Sequence, residues 1–173
     1  MRTGDFDYPL PPELIAQTPV EPRDQSRLLA LDRRSGAVTH RRFYELPDLL
    51  HSGDLLVLND TRVIPARLYG RRADTGGKVE LLLLRREEPG VWQCLGKPGR
   101  GLMVGTRLLF GEGLEARVLE VRQDGLRLVE LSDEALVEKV GRVPLPPYIQ
   151  IPLDDPERYQ TVYAGHSPDK KGS

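Results

Sequence analysis

A chain of 173 residues with 39% hydrophobic content can bury a core and has room for one domain or two small ones. Its 25 basic and 26 acidic residues nearly cancel, so net charge advertises no nucleic-acid partner, and no apolar run approaches membrane-spanning length. One cysteine, Cys94, excludes an intrachain disulfide and a cysteine-rich zinc site. The three histidines, His40, His51 and His166, lack ligand spacing, and the N-terminus offers acids and prolines instead of a basic start and an apolar core. The expectation is a soluble, cytoplasmic protein with no metal.

In chain order, Pro11-Pro12-Glu13 predicts a short helix through Gln17, after which Pro19 and Pro22 make an extended linker. Arg27 to Asp32 and Ala37 to Arg42 flank Arg34-Ser35-Gly36 and predict a hairpin, and Leu46 to His51 reads as one helical turn leading into Gly53. Four apolar residues in succession, Leu55 to Leu58, read as a strand covered on both faces, which Asn59-Asp60 end by hydrogen-bonding their own backbone. Thr61 and Arg62 follow at once. An amide, a carboxylate, a hydroxyl and a guanidinium then stand at a sheet edge, from which α/β proteins usually address ligands.

From Leu68 onward β patterns dominate. Lys78 to Leu84, Val91 to Leu95, Thr106 to Phe110, Leu114 to Val121 and Leu126 to Leu131 are short strands between Gly-rich turns, Asp124-Gly125 among them, and predict a small barrel or sandwich. Ser132 is expected to cap a short helix whose apolar positions are Leu136, Val137 and Val140, with Gly141 ending it. Pro-Leu-Pro-Pro-Tyr at 144 to 148 cannot continue a sheet and marks a boundary, partnered by another near Pro65. Residues 67 to 100 hold eight basic residues against four acids, a stretch that could contact RNA phosphates, although interspersed charges of this kind are more often a solvated face. Cys94, beside Trp92 in an apolar run, reads as a packed core thiol.

Several long strings carry more information than these patterns. Residues 53 to 68 (Gly-Asp-Leu-Leu-Val-Leu-Asn-Asp-Thr-Arg-Val-Ile-Pro-Ala-Arg-Leu), Phe6-Asp7-Tyr8 with Leu14-Ile15-Ala16-Gln17, Arg27-Leu28-Leu29, and Gly76-Gly77-Lys78-Val79-Glu80-Leu81-Leu82-Leu83 come first. Pro144-Leu145-Pro146-Pro147-Tyr148-Ile149 and Arg158-Tyr159-Gln160-Thr161-Val162-Tyr163-Ala164 complete the set. Together and in this order they resemble the S-adenosylmethionine:tRNA ribosyltransferase-isomerase family of queuosine biosynthesis, over about residues 5 to 164.

The resemblance implies a mainly β fold with α/β elements, the N-terminal part of an α/β domain interrupted by a small inserted β-barrel. Residues 1–66 plus 150–164 would form the partial α/β domain and 67–149 the barrel. Beyond Ala164 the family continues with Pro-Thr-Ala-Gly-Leu-His-Phe-Thr, whereas residues 165–173 here read as a disordered tail or a cloning scar. Were these 173 residues the whole polypeptide, Leu55 to Leu58 would lack a covering layer, and exposed apolar surface, oligomerisation or partial disorder would follow.

The activity implied is transfer and isomerisation of the ribosyl moiety of S-adenosylmethionine to a 7-aminomethyl-7-deazaguanine base in the tRNA anticodon loop. The product would be epoxyqueuosine, with adenine and methionine released and S-adenosylmethionine serving as co-substrate without other cofactor. Such chemistry needs a base for the proton beside the sulfonium, complementarity for a cation and a carboxylate, and an acid assisting adenine departure. Asp60 is the candidate for the basic or sulfonium-facing carboxylate; an Asx turn ending the strand is the plain alternative. Arg62 can grip the methionine carboxylate or a phosphate through a bidentate fork, or simply pair with Asp60. Asn59, Thr61 and Arg67 are candidates for hydrogen bonding around that pocket. Arg158, Tyr159 and Gln160 suit stacking and edge recognition in an anticodon loop, while Tyr163, four residues after Tyr159, reads as packing of a helical turn. A different class of function stays open: a non-catalytic RNA-binding β-barrel module, or an inactive truncated fragment of that enzyme.

Overall fold

Alternation of inward and outward side chains is what lets one strand face a core and water at once, and between Lys78 and Leu83 every second residue, Val79, Leu81 and Leu83, is buried. In the computed structural model, which describes residues 2–164, this run is the heart of a closed barrel. Six strands form it: β3 (Arg67–Arg72), β4 (Lys78–Glu88), β5 (Val91–Lys97), β6 (Arg107–Leu109), β7 (Glu115–Val121) and β8 (Leu126–Leu131). They pair in the order β3-β4-β5-β8-β7-β6, and Arg71 opposite Leu109 with Arg72 opposite Leu108 closes the ring. Closure leaves no free sheet edge in this unit.

Inward positions follow from the alternation. Val79, Leu81 and Leu83 of β4, Leu68 of β3, Cys94 of β5, Leu108 of β6, Ala116 and Val118 of β7, and Val129 of β8 are buried together. β4 is too long to stay straight around so small a core, and its register with β5 shifts between Leu83 and Arg85 and again between Arg86 and Glu88. Such bulges bend a strand and increase its twist. Gly96 admits the side chain of Leu102, which a Cβ there would displace. A short helix, α1 (Val137–Val140), follows the barrel and buries Val137 against it.

Asp133 caps the turn before α1 by accepting from the Ala135 N–H at 2.9 Å, so the cap is Asp133 and not the expected Ser132. Ser132 Oγ accepts instead from the Glu115 N–H at 3.0 Å, tying the end of β8 to β7. Gly141 ends the helix as expected, but from an ordinary extended conformation (φ −71°). What it supplies is room, because a Cβ there would collide with the Pro65 carbonyl.

The chain divides into two compact units, Arg62–Leu145 and a second built from the segments before and after it. In the second unit β1 (Arg27–Leu31) and β2 (Val38–Arg42) form the expected antiparallel hairpin, with Arg27 opposite Arg42 and Leu31 opposite Val38. Asp32 Oδ1 accepts from the backbone N–H groups of Arg34 and Ser35 and from the Ser35 hydroxyl, which fixes the turn and holds the Asp32 carboxyl below its usual range. The helix expected from Pro11 to Gln17 is only a 3-10 turn at Pro12–Leu14, and the turn expected over Leu46 to His51 starts earlier, at Phe43–Leu49.

Leu55 to Leu58 depart furthest from expectation. They form no strand, and Leu55 and Val57 are 88% and 82% exposed. An apolar run becomes a buried strand only when neighbours take up its backbone N–H and C=O groups and cover its faces, and among the described residues none does. The exposed apolar surface is the consequence anticipated for an uncovered run. Residues 165–173, read above as a tail or scar, lie outside the described residues.

Candidate functional site

The Asn-Asp-Thr-Arg segment is a tight polar turn. Asn59 Oδ1 accepts from the Thr61 backbone N–H at 2.9 Å and from the Thr61 hydroxyl at 2.7 Å, so the Asx turn belongs to Asn59. Asp60 is exposed and has no hydrogen-bond or ion-pair partner among the described residues. Neither an Asx turn nor a buried pair therefore accounts for its carboxylate. Arg62 is exposed, the first residue of the barrel unit.

Arg67 starts β3 and is anchored in two ways. Its backbone exchanges hydrogen bonds with Arg142 at 3.0 and 2.8 Å, and its Nε lies 3.5 Å from Glu80 Oε1 on β4. That Nε is buried without a hydrogen bond, since 3.5 Å to the carboxylate is an ion-pair distance only. Directly beyond, Arg142 stacks on Tyr69 with 5.3 Å from Cζ to the ring centroid.

Arg158, Tyr159 and Gln160 end a 3-10 turn, Pro156–Tyr159, capped by Asp155. The chain is extended at Gln160, so Tyr159 and Tyr163 do not share the helical face expected of them. Arg158 Nη2 donates to the Pro19 carbonyl at 3.0 Å and approaches Glu21 at 3.3 Å. Gln160 is buried, whereas Tyr159 is partly exposed.

Arg23, which sequence reasoning passed over, holds this turn in place. Its guanidinium donates to the carbonyls of Gln160 (2.6 Å), Arg158 (2.7 Å) and Glu157 (3.3 Å). Gln17 acts alike, donating to the Tyr148 carbonyl at 3.0 Å and accepting from the Gln150 N–H at 2.8 Å. The sequence showed here only an extended linker at Pro19 and Pro22, with no signal for these long-range clamps.

Three of the eight basic residues between 67 and 100 are in ion pairs: Arg67 with Glu80, Arg72 with Asp74, and Arg86 with Glu134. Glu134 also accepts from the Trp92 indole N–H at 2.6 Å. A surface groove of about 480 Å³ on the barrel runs past Arg107, Glu115, Arg117, Glu130 and Ser132, and none of the candidate residues lines it. Burial pushes the Cys94 thiol up to about 12, a value the nearby Arg127 charge only moderates, which makes it a poor nucleophile and metal ligand. Among the described residues no three His, Cys, Asp or Glu side chains gather as metal ligands, and no helix is long and apolar enough to cross a membrane.

The sequence model of the family described as "Queuosine biosynthesis protein" matches residues 3–173. The chain belongs to this family. Among its queuosine-biosynthesis relatives, the S-adenosylmethionine:tRNA ribosyltransferase-isomerase of Moorella thermoacetica is 56% identical over 95% of this chain and 50% of its own. That of Dehalococcoides mccartyi is 52% identical, again over 95% of this chain and 49% of its own. The crystal structure of S-adenosylmethionine tRNA ribosyltransferase from Thermotoga maritima is 48% identical, covering 79% of this chain and 48% of that one with a TM-score of 0.42. The chain thus spans about half the length of the curated relatives it matches.

Proposed function

We propose that this queuosine-biosynthesis chain provides the β-barrel and one wall of the donor site of an S-adenosylmethionine:tRNA ribosyltransferase-isomerase. The observation that carries this is 56% identity across 95% of the chain to a relative so named. The reaction moves the ribosyl group of S-adenosylmethionine to the aminomethyl nitrogen of a deazaguanine base in the tRNA anticodon, isomerises it to an epoxy-cyclopentane, and releases adenine and methionine. It begins with loss of a proton beside the sulfonium. Asp60 is the proposed base or sulfonium counter-charge, and its solvent-facing, unpartnered carboxylate supports that role. Arg62 is proposed to hold the methionine carboxylate by a two-point contact, with Asn59 and Thr61 shaping the turn and Arg67 contributing nearby. Arg158, Tyr159 and Gln160 are proposed to meet the anticodon loop from the rigid turn that Arg23 fixes. The inserted-barrel organisation, an α/β domain split around residues 67–149, and a cytoplasmic location are part of the same reading.

A second reading is a non-catalytic RNA-binding barrel or an inactive fragment, and the exposure of Leu55 (88%) and Val57 (82%) next to the motif in sequence is the observation that keeps the inactive fragment in view. Two experiments decide. Calorimetry of this chain with S-adenosylmethionine is expected to show saturable 1:1 binding; no heat, with tRNA still bound, would select the second reading. In a full-length relative carrying the same motif, the substitutions equivalent to Asp60→Asn and Arg62→Ala should each lower kcat by roughly 100-fold or more, with unchanged melting. Near-normal turnover strikes that residue from the mechanism.

A further inference from the structure

We infer that the outer face of β3, β4 and β5 is the surface by which the barrel holds the RNA backbone of its tRNA partner. The inference rests on the tRNA reading above and adds a location and residues to it. Directly opposed residues on antiparallel strands point to the same side, so the registers define the face row by row. One row is Arg71 with Lys78; the next is Tyr69, Glu80 and Lys97; the third is Arg67, Leu82 and Leu95. Rows lie roughly 7 Å apart along the strands.

Adding Arg142, which overlies Tyr69, this face carries five cations (Arg67, Arg71, Lys78, Lys97, Arg142) and one acid, Glu80. Glu80 is engaged by Arg67 at 3.5 Å, whereas Arg71, Lys78 and Lys97 are exposed and have no acidic partner among the described residues. Elsewhere on the barrel four surface cations are paired: Arg72 with Asp74, Arg86 with Glu134, Arg107 with Glu115, and Arg122 with both Glu87 and Glu120. Arg85, Arg100, Arg117 and Lys139 are also exposed without an ion pair among the described residues, but the registers place none of them in these three rows, where unpaired cations gather around an aromatic ring.

A bare cationic patch suits any polyanion, but the centre of this one is a flat stack. Tyr69 is 47% exposed, and the Arg142 guanidinium lies over its ring from a backbone that two hydrogen bonds to Arg67 hold still. Aromatic rings and guanidinium planes ringed by phosphate-binding cations are the combination that receives unpaired bases of RNA. In the next row of the same face, Leu82 and Leu95 add apolar surface beside the stack.

The test is titration of this chain into a fluorescent, in vitro transcribed tRNA at salt concentrations between about 50 and 200 mM. Arg71→Ala, Lys78→Ala and Lys97→Ala should each weaken binding by roughly 3- to 10-fold and reduce the salt slope by about one. Tyr69→Ala should weaken it by about tenfold with the slope unchanged, and Tyr69→Phe should restore it. Arg117→Ala, on β7, is the control and should stay within about twofold of the wild type. Wild-type affinity and slope in all three cation variants would overturn the inference while leaving the tRNA reading intact. Loss in the cation variants with Tyr69→Ala unaffected would overturn the assignment to RNA, leaving a general polyanion surface. Absence of any tRNA binding by the wild type at low salt would overturn both. All the substituted side chains are exposed, and an unchanged melting temperature verifies that each variant is folded.

Discussion

Arg127 shows how much can hang on a single side chain in a small core. Leu126 to Leu131 alternates in two ways, with Arg127, Val129 and Leu131 on one side and Leu126, Leu128 and Glu130 on the other, and composition alone does not say which faces inward. The structure buries the first set, Arg127 included, and the guanidinium is compensated by three carbonyls: Leu102 (2.9 Å), Leu126 (2.9 Å) and Gly99 (3.0 Å). Those acceptors lie mostly in the 99–102 loop, distant in sequence, which is why the pattern alone was silent about them. Across the ladder Arg127 faces Cys94, whose thiol is pushed up to about 12 mainly by burial, against an ordinary 9.0. A sign follows for stability. Below pH 9 the thiol is protonated in both states; above it the unfolded chain loses a proton that the folded chain keeps, so stability falls as pH rises toward the folded value. One proton corresponds to about 1.4 kcal/mol per pH unit. Urea melts at pH 9 and pH 10 should show wild type losing roughly 1 kcal/mol more over that step than Cys94→Ala, and equal slopes would mean the thiol ionises in the folded state.

Among elements, strands declared themselves because their alternation is continuous: Leu126–Leu131 coincides with its expected bounds, and β4, β5, β6 and β7 lie within a few residues of theirs. β3 was less visible because Gly70 interrupts it, and that glycine is demanded by the Leu109 carbonyl and the Phe110 ring pressing on it from the strand that closes the barrel. Caps were harder than strands. Ser132 and Asp133 are adjacent and both are good caps, so the choice depended on whether the hydroxyl was needed by Glu115, a long-range fact. Glycines separate the two kinds of constraint cleanly. Gly125 sits at φ +79° with open space around it, so Gly125→Ala should cost about 1 kcal/mol from backbone strain alone. Gly141 has an unremarkable φ but faces the Pro65 carbonyl, and Gly141→Ala should cost more, about 2–3 kcal/mol, because backbone must move. Chemical denaturation of both variants checks the order, and a Gly125→Ala loss larger than that of Gly141→Ala would show that packing at Pro65 is soft.

At the scale of the whole molecule, the two units satisfy their backbones by different means. The barrel closes on itself and needs no further strand, while the other unit relies, among the described residues, on one hairpin, short 3-10 turns and long-range clamps from Arg23 and Gln17. The candidate site was legible in part for the same reason: the Asn59 turn is set by neighbours in sequence, whereas the clamps from Arg23 and Gln17 reach across more than 130 residues and no local pattern encodes them. Leu55 to Leu58 make the asymmetry testable. Leu55 and Val57 are the most exposed of the four, so the run presents an apolar ridge with unpaired backbone beside it, a template for association. This chain should therefore bind a hydrophobic dye and show a weight-average mass that rises with concentration in sedimentation. Leu55→Asp with Val57→Asp removes the ridge without touching the barrel core, so dye binding and association should fall severalfold while the cooperative melt of the barrel keeps its midpoint within about 2 °C. A double variant that associates as strongly as the wild type would place the sticky surface elsewhere, and one whose barrel melts early would show that the run supports the barrel after all.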